Sequence, residues 1–509
     1  MTTEDFAFGL EQEWIDQSLP DISTQKKEIT HQNDTMFLFE DYQYNLLNDN
    51  TAVYHYYCER VIPQAGISKA SELKIHYIPE FQSIVIHKIH VLRGKNLISK
   101  EKNFQFKSSQ EKGMQRYKTL GLLLDDIRVG DDVCLSYTIS GEDPVTKERC
   151  DIWIYPYSKA VSQWYRFRFV ISENETLHHQ SFMTTFEPLI MHHEEQGYKT
   201  YTWASEAANP LIREKDIPLW FECDPYVQVS TYRHWSEIVN AITPYYDYSA
   251  DIPVIRKDKI ISITSGYENQ EEQILSCLKY VQNEVRYLPS DNLYLTDKPS
   301  SLESIIANGV GDCKDKTYLL VIILRLMGFD AYPCPASFKH QFISRDILPT
   351  FQLFDHMVIY AHMGSKDYWI DATVPSLVNT LEARSQVQTC DVLLLRTRQN
   401  ELTRIPLEDR CLVEIQETYD FTTGVSGPYV YSIVTKHFGL SAQSLRSELE
   451  VNPAVNLSKR YHKYYLHFYP KIQVHTPLEI TDDLENNILT VMEVYAFPKI
   501  NDLECDDKS

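Results

Sequence analysis

The sequence predicts an α+β protein in which a buried helix packed on an antiparallel sheet forms a central core, flanked on both sides by β-sandwich-like domains. Three observations carry this. Tyr (34) and Phe (21) are abundant while Gly is scarce (16), and aromatic residues favour strands. Period-two apolar patterning fills about 50–225 and returns beyond about 400, as expected of sheets broken by turns. Between those stretches the apolar period becomes helical. The length of 509 residues suggests about three domains, and 43% hydrophobic content can bury a real core.

Taken in order, residues 1–45 are polar and weakly patterned, and an irregular lead-in is expected. A β-rich domain is expected over 46–245. Its clearest strand is rich in β-branched residues (Ile84, Val85, Ile86, Ile89, Val91) and turns at Arg93-Gly94-Lys95. Trp153, Tyr155, Trp164, Tyr165, Phe167 and Phe169 continue the style, which changes near Trp235. The core is expected over 255–390. Ile274, Leu278, Val281 and Val285 fall at offsets of 4, 7 and 11, the stripe of an amphipathic helix. Ser300-Ser301-Leu302-Glu303 reads as a capping-box start for a short helix ending at Gly309. Lys314 to Met327 is apolar almost all round after its first turn, the mark of a buried helix. Strands are expected at about 331–338, 355–363 and 367–373. A C-terminal β-rich region over 400–509 contains Tyr429 to Val434, Ile488 to Phe497 and a helical stretch with Leu445, Leu449 and Tyr461.

Chemistry concentrates at Gly309-Val310-Gly311-Asp312-Cys313-Lys314-Asp315-Lys316. Asp312 is a good N-cap, so Cys313 falls at the first position of the buried helix. A thiol there meets unpaired backbone N–H groups and the positive end of the helix dipole, both of which favour thiolate. The same N–H groups can steady an oxyanion formed on attack at a carbonyl. Downstream, Asp355 to Tyr360 and Lys366 to Thr373 form a predicted hairpin about Gly364-Ser365, a pair suited to a type II′ turn. Pairing Met363 with Lys366 sets His356 opposite Thr373 and makes Asp371 its diagonal neighbour on one face. Diagonal pairs lie roughly 7–8 Å apart at the backbone, within side-chain reach. A carboxylate there can fix the imidazole tautomer and leave the other ring nitrogen for a thiol. Gln282 is the candidate side-chain donor to an oxyanion, against the plainer reading of a solvated helix residue.

The run Leu278 to Tyr287, the Gly311 to Lys316 segment and the apolar helix together resemble bacterial transglutaminase-like proteins. Asp355-His356 and Ile370-Asp371-Ala372-Thr373 match that family's His and Asp boxes in order and approximate spacing. The resemblance implies a papain-like core over about 255–390, with Cys313 as nucleophile, His356 as general base and acid, and Asp371 as orienting carboxylate. It implies a protein or peptide amide as substrate, a thioester intermediate, and no metal or cofactor. Water as acceptor would make a peptidase or amidase, and an amine a crosslinking transglutaminase. The flanks, at Ile127 to Val133 with Tyr137 and at Trp235-Ser236-Glu237, are similar to the β-rich domain of unknown function that often precedes this core. Many such relatives carry an export signal, and the final β region here ends sooner than the family pattern implies. The competing function class is a binding or assembly module that uses the fold as scaffold.

Other classes find little support. A net charge of −22 and the lack of any Lys/Arg run longer than two argue against nucleic acid and anionic lipid as partners. No G-K-[ST] follows the paired glycines, and no GxSxG elbow is present. His178-His179 and His192-His193 would point to opposite faces of a strand, which disfavours a metal site. The ten Cys are never closer than sixteen residues, excluding CxxC motifs. Met1 to Pro20 has neither a basic n-region nor an apolar h-region, and no run reaches the ~18 apolar residues of a membrane span. The expectation is a cytoplasmic protein with reduced thiols.

Overall fold

The computed structural model describes residues 6–19, 35–47, 51–101, 104–110, 118–147, 149–155, 162–208, 217, 221, 224–246, 258, 261–288, 298–339, 347–374, 381, 387, 390–406, 412–424 and 427–497. In the N-terminal half, a nine-stranded sheet faces two three-stranded sheets. From one edge to the other, the large sheet runs Ala7–Phe8, Ser83–Arg93, Asp132–Ser140, Ala52–Val61, Thr35–Asn45, Ser162–Ser172, Tyr198–Ala208 and Leu189–His193, with Asn96–Ser99 also paired to Ser83–Arg93. One face is apolar. Ile84, Ile86, Ile89, Val133 and Leu135 meet Ile75, Leu120 and Leu122 of the first small sheet. Phe169, Ile171, Tyr201 and Trp203 meet Ile154, Val227 and Val229 of the second. This is a sandwich with two cores side by side.

The irregular lead-in expected over 1–45 is corrected here. Thr35–Asn45 is an interior strand, antiparallel to Ala52–Val61 and parallel to Ser162–Ser172. Its alternation escapes a sequence reading because its second face is buried yet polar. Arg166 Nε donates to Asp41 Oδ1 at 2.8 Å, and Arg168 Nη1 donates to Gln43 Oε1 at 3.1 Å. The segment 11–18 lies across this face and is fastened through Asp16, the Trp14 carbonyl and Glu11. The expectation of reduced thiols is also modified. Cys58 and Cys134 are direct cross-strand partners with Cα atoms 4.1 Å apart, and a disulfide joins them. Among the described residues no helix is long and apolar enough to cross a membrane.

In the core, helix Cys313–Leu326 packs on a five-stranded sheet, ordered Lys366–Ile370, His356–Met363, Asp330–Ala336, Asp391–Val392 and Thr403–Arg404, and helices Gln270–Glu284 and Leu302–Asn308 pack against that helix. Helix Trp235–Ile242, expected with the β-rich domain, buries Trp235, Ile238, Val239 and Ile242 in the core's own apolar cluster. The sandwich also grips the segment leading into the His356 strand. Gln228 donates to the Leu348 carbonyl and accepts from the Leu348 N–H, Ser230 Oγ donates to the Pro349 carbonyl, and Asp151 accepts from Thr350 Oγ1. The C-terminal unit is a four-stranded antiparallel sheet, Val413–Asp420, Tyr429–Phe438, Ile488–Phe497 and Gln473–Asp483. Its single expected helical stretch is two helices, Gly439–Val451 and Ala454–Phe468, separated where Pro453 interrupts the hydrogen-bond ladder.

Candidate active site

Helix Cys313–Leu326 begins with an unusually complete cap. Asp312 Oδ1 accepts from the N–H groups of Lys314 and Asp315 at 2.8 and 3.1 Å. Asp315 Oδ2 reaches back to the Asp312 N–H, closing a capping box. The N–H of Cys313 has no partner among the described residues, as the first N–H of a helix is free to do. Asp315 Oδ1 also takes the Ser300 N–H at 2.7 Å. Ser301 rather than Ser300 therefore caps the short preceding helix, accepting from the Ser304 N–H. Gly311 is required sterically, because a Cβ there would stand 2.7 Å from Asp315 Cβ. Gly309 closes the short helix in the left-handed region at φ 61°.

Lys316 is 1% exposed and donates through Nζ to the carbonyls of Val281 and Val285, at the end of helix Gln270–Glu284. It satisfies carbonyls that a helix terminus leaves open and places a cation at the negative end of the dipole. Burial pulls its ammonium down to about 8, with the charge of Asp371 opposing. The charged run around Cys313 thus binds three pieces of chain to the start of one helix.

The hairpin holds the imidazole. Met363 pairs with Lys366 as the turn requires, and of the two turn residues only Gly364 takes a positive φ, at 63°. Strand Lys366–Ile370 ends one residue before Asp371, so Asp371 to Thr373 turn away from the ladder. His356 Nε2 nevertheless lies 2.9 Å from Asp371 Oδ2. Asp371 Oδ1 accepts from Thr373 N–H and Oγ1 at 2.8 and 2.7 Å. Phe338 packs on the imidazole at 4.6 Å between ring centroids, and Asp355 holds the N–H groups of Phe338 and Lys339. Cys313 lies close enough to His356 to raise the imidazole's affinity for its proton. Burial alone would depress the imidazole. The charge and hydrogen bond of Asp371, with the Cys313 contact, push it up to about 10 instead. Burial would likewise raise Asp371, yet His356 and Thr373 hold it below the ordinary carboxylate value.

Cys313, His356 and Asp371 therefore come together from two separate elements. Gln282 does not join them in the expected way, since its amide nitrogen donates to the Val374 carbonyl and braces the segment after Asp371. His362 sits at the far end of the strand, bonded to Asp367, and His340 lies outside the described residues. The sequence reading missed Tyr287, whose phenol feels the charges of Cys313, Asp371 and Asp312. Its signals were its place just after the amphipathic stripe and at the end of the Leu278 to Tyr287 run that carries the family resemblance. Of the histidines weighed as metal ligands, His179 bonds Glu187 and His192 bonds Glu173. Among the described residues no cluster of three or more His, Cys, Asp or Glu could hold a metal ion.

A cysteine opening a buried helix, facing an imidazole and carboxylate on an adjoining antiparallel sheet, defines the papain-like class of fold. Residues 258–336 match the model of the transglutaminase-like superfamily, and residues 48–212 match DUF3857, a domain of unknown function with solved structures. The chain therefore carries a transglutaminase-like segment with a DUF3857 segment ahead of it. A crystal structure from Parabacteroides distasonis ATCC 8503, provisionally described as a protease, is 12% identical and covers 92% of this chain and 94% of its own, with a TM-score of 0.62. The two share a fold over nearly the whole chain. A provisionally described cysteine protease from Cytophaga hutchinsonii is 11% identical over 64% of this chain and 76% of its own. Its TM-score of 0.18 carries no argument. None of the curated proteins matches.

Proposed function

We propose that this protein is a thiol enzyme that cleaves or transfers the acyl group of an amide bond in a protein or peptide. The observation that carries the proposal is the Asp371 carboxylate held 2.9 Å from His356 Nε2, with the Cys313 thiol near enough to act on the same imidazole. Cys313 attacks the carbonyl carbon, His356 passes a proton to the departing amine, and a thioester remains for water or a second amine to resolve. Asp371 holds the imidazole in one orientation and stabilises its cation. The provisional description of the Parabacteroides distasonis neighbour as a protease supports hydrolysis over crosslinking.

A scaffold role is the second reading, and one observation favours it: Cys313 is only 2% exposed. Intact-protein mass spectrometry after exposure to an activated ester separates the two. An acyl adduct on the wild-type protein, absent from Cys313→Ala, is the expected result. Wild-type protein that stays unacylated while remaining folded would leave the scaffold reading standing. Addition of a lysine ester to the acylated protein then tests whether an amine competes with water.

A further inference from the structure

Tyr287 is held by backbone bonds beside Gly311, two residues before Cys313. The two-residue strand Arg286–Tyr287 pairs in parallel with Val310–Gly311, and Tyr287 stands opposite Gly311. The Arg286 N–H donates to the Gly309 carbonyl at 2.8 Å and the Leu288 N–H to the Gly311 carbonyl at 3.0 Å. Lys316, one turn along the Cys313 helix, anchors the Val281 and Val285 carbonyls just upstream. Tyr287 is thus fixed on both sides to the segment that opens the Cys313 helix. Its half-buried ring packs against the apolar cluster that contains Cys313. Burial and the nearby Cys313, Asp371 and Asp312 hold its phenol above the ordinary range, so it stays a protonated donor wherever a thiolate could act.

We propose that the Tyr287 hydroxyl is the side-chain donor to the oxyanion, acting with the backbone N–H of Cys313. The inference rests on Cys313 being an acylating thiol, and it replaces Gln282, whose amide nitrogen is directed to the Val374 carbonyl. In the step concerned, a sulfur lone pair forms the C–S bond and the carbonyl π pair moves onto oxygen. That oxygen accepts hydrogen bonds from the Tyr287 O–H and the Cys313 N–H. Collapse re-forms C=O and breaks the bond to the leaving group. Where that group is an amine, His356 protonates it, and Tyr287 keeps its own proton throughout. A donor placed where charge develops acts on the transition state, and losing one typically slows the reaction by about 10²–10³-fold.

Two reactions of the same thiol test this. Acylation by p-nitrophenyl acetate, followed as the burst of p-nitrophenolate, passes through an oxyanion. Alkylation by iodoacetamide displaces iodide at a saturated carbon and does not. For Tyr287→Phe the expected result is acylation slower by about 10²-fold or more with alkylation at the wild-type rate. Acylation at the wild-type rate would overturn the inference. A parallel slowing of both reactions would overturn it too, because the hydroxyl would then be serving the thiol or the local packing. Failure of the underlying reading looks different: wild-type Cys313 is alkylated but never acylated.

Discussion

The core around Cys313 and the nine-stranded sheet both bury charged side chains, but they recruit them across very different lengths of chain. In the core, Asp312 and Asp315 cap each other three residues apart, and His356 meets Asp371 fifteen residues on. In the sheet, Arg166 joins Asp41 across 125 residues and Asp16 across 150. The first set gathers about the thiol of Cys313. The second fastens the segment 11–18 to a polar sheet face. Buried charge is therefore no mark of a reactive site by itself. What separates the two regions is a thiol at a helix terminus with an imidazole and carboxylate pair near it.

The strongest way to break this contrast is to remove the imidazole. Positioned acid–base catalysis is typically worth about 10²–10⁴-fold, and a thiol and its base act as a unit. His356→Ala should thus approach Cys313→Ala in single-turnover acylation, compared per folded molecule because Asp371 is left buried without its cation. Acylation near the wild-type rate, with normal circular dichroism, would take His356 out of the mechanism. Reactivity should be as localised as catalysis. Burial pushes the thiols of Cys277 and Cys390 up to about 11 and about 12, and those of Cys150 and Cys334 higher still. Among the described free cysteines, Cys313 should take limiting iodoacetamide first at mildly acidic pH, as peptide mapping would reveal.

The sheet should show the opposite signature. Arg166 is 4% exposed and Asp41 1%, and Arg166→Met leaves that carboxylate buried without its cation. Breaking a buried pair in this way typically costs about 3–5 kcal/mol. Urea unfolding should register the loss, while acylation per folded molecule stays at the wild-type rate. A fall in acylation without loss of stability would mean that the sheet contributes to the chemistry directly.

The same difference in chain distance explains what could be read from sequence. The Cys313 cap and the hairpin about Gly364-Ser365 are local, so residue type and spacing indicate Cys313 at the helix start and His356 near Asp371, although Asp371 lies just past the strand end rather than on the ladder. The Thr35–Asn45 strand was misread because its polar face makes sense only against Arg166 and Arg168. Cys58 and Cys134 lie 76 residues apart, and only strand pairing brings them together. Tyr287 falls between these cases. Its position depends on a two-residue parallel pairing, too short to leave a pattern. Gln282 was chosen for its chemical type, and a contact to the Val374 carbonyl cannot be inferred from type.

Asp371 tests the electrostatic half of the contrast. Because His356 is raised to about 10, above its usual value of about 6.5, the imidazolium persists through neutrality. Its proton, and the stability that comes with it, are lost as pH rises through about 10. Activity that needs the imidazolium should therefore have its alkaline limb there. Asp371→Asn removes the strongest influence raising His356, so the limb should move toward neutrality. The rate at the optimum should fall by about 10²-fold, at the low end of the range for acid–base groups. A limb that stays in place would mean that the Cys313 contact, rather than Asp371, sets the imidazole's affinity for its proton.

The smallest effect should come from Thr373→Val. Asp371 would keep His356 and the Thr373 backbone N–H and lose only the Oγ1 donor at 2.7 Å. A hydrogen bond to a charged group is typically worth about 1.5–3 kcal/mol. The carboxylate carries its charge both before and during the reaction, so most of that energy is common to ground and transition states and cancels from the rate. Acylation should slow by less than about tenfold, the equivalent of roughly 1.4 kcal/mol. The alkaline limb should shift in the same direction as for Asp371→Asn but by less, since a less firmly held carboxylate supports the imidazolium less well. Measuring both variants over one pH series separates orientation from charge. If Thr373→Val matched Asp371→Asn in rate while leaving the limb unmoved, the threonine would be setting the direction of the carboxylate, and direction would outweigh charge in what Asp371 does for His356.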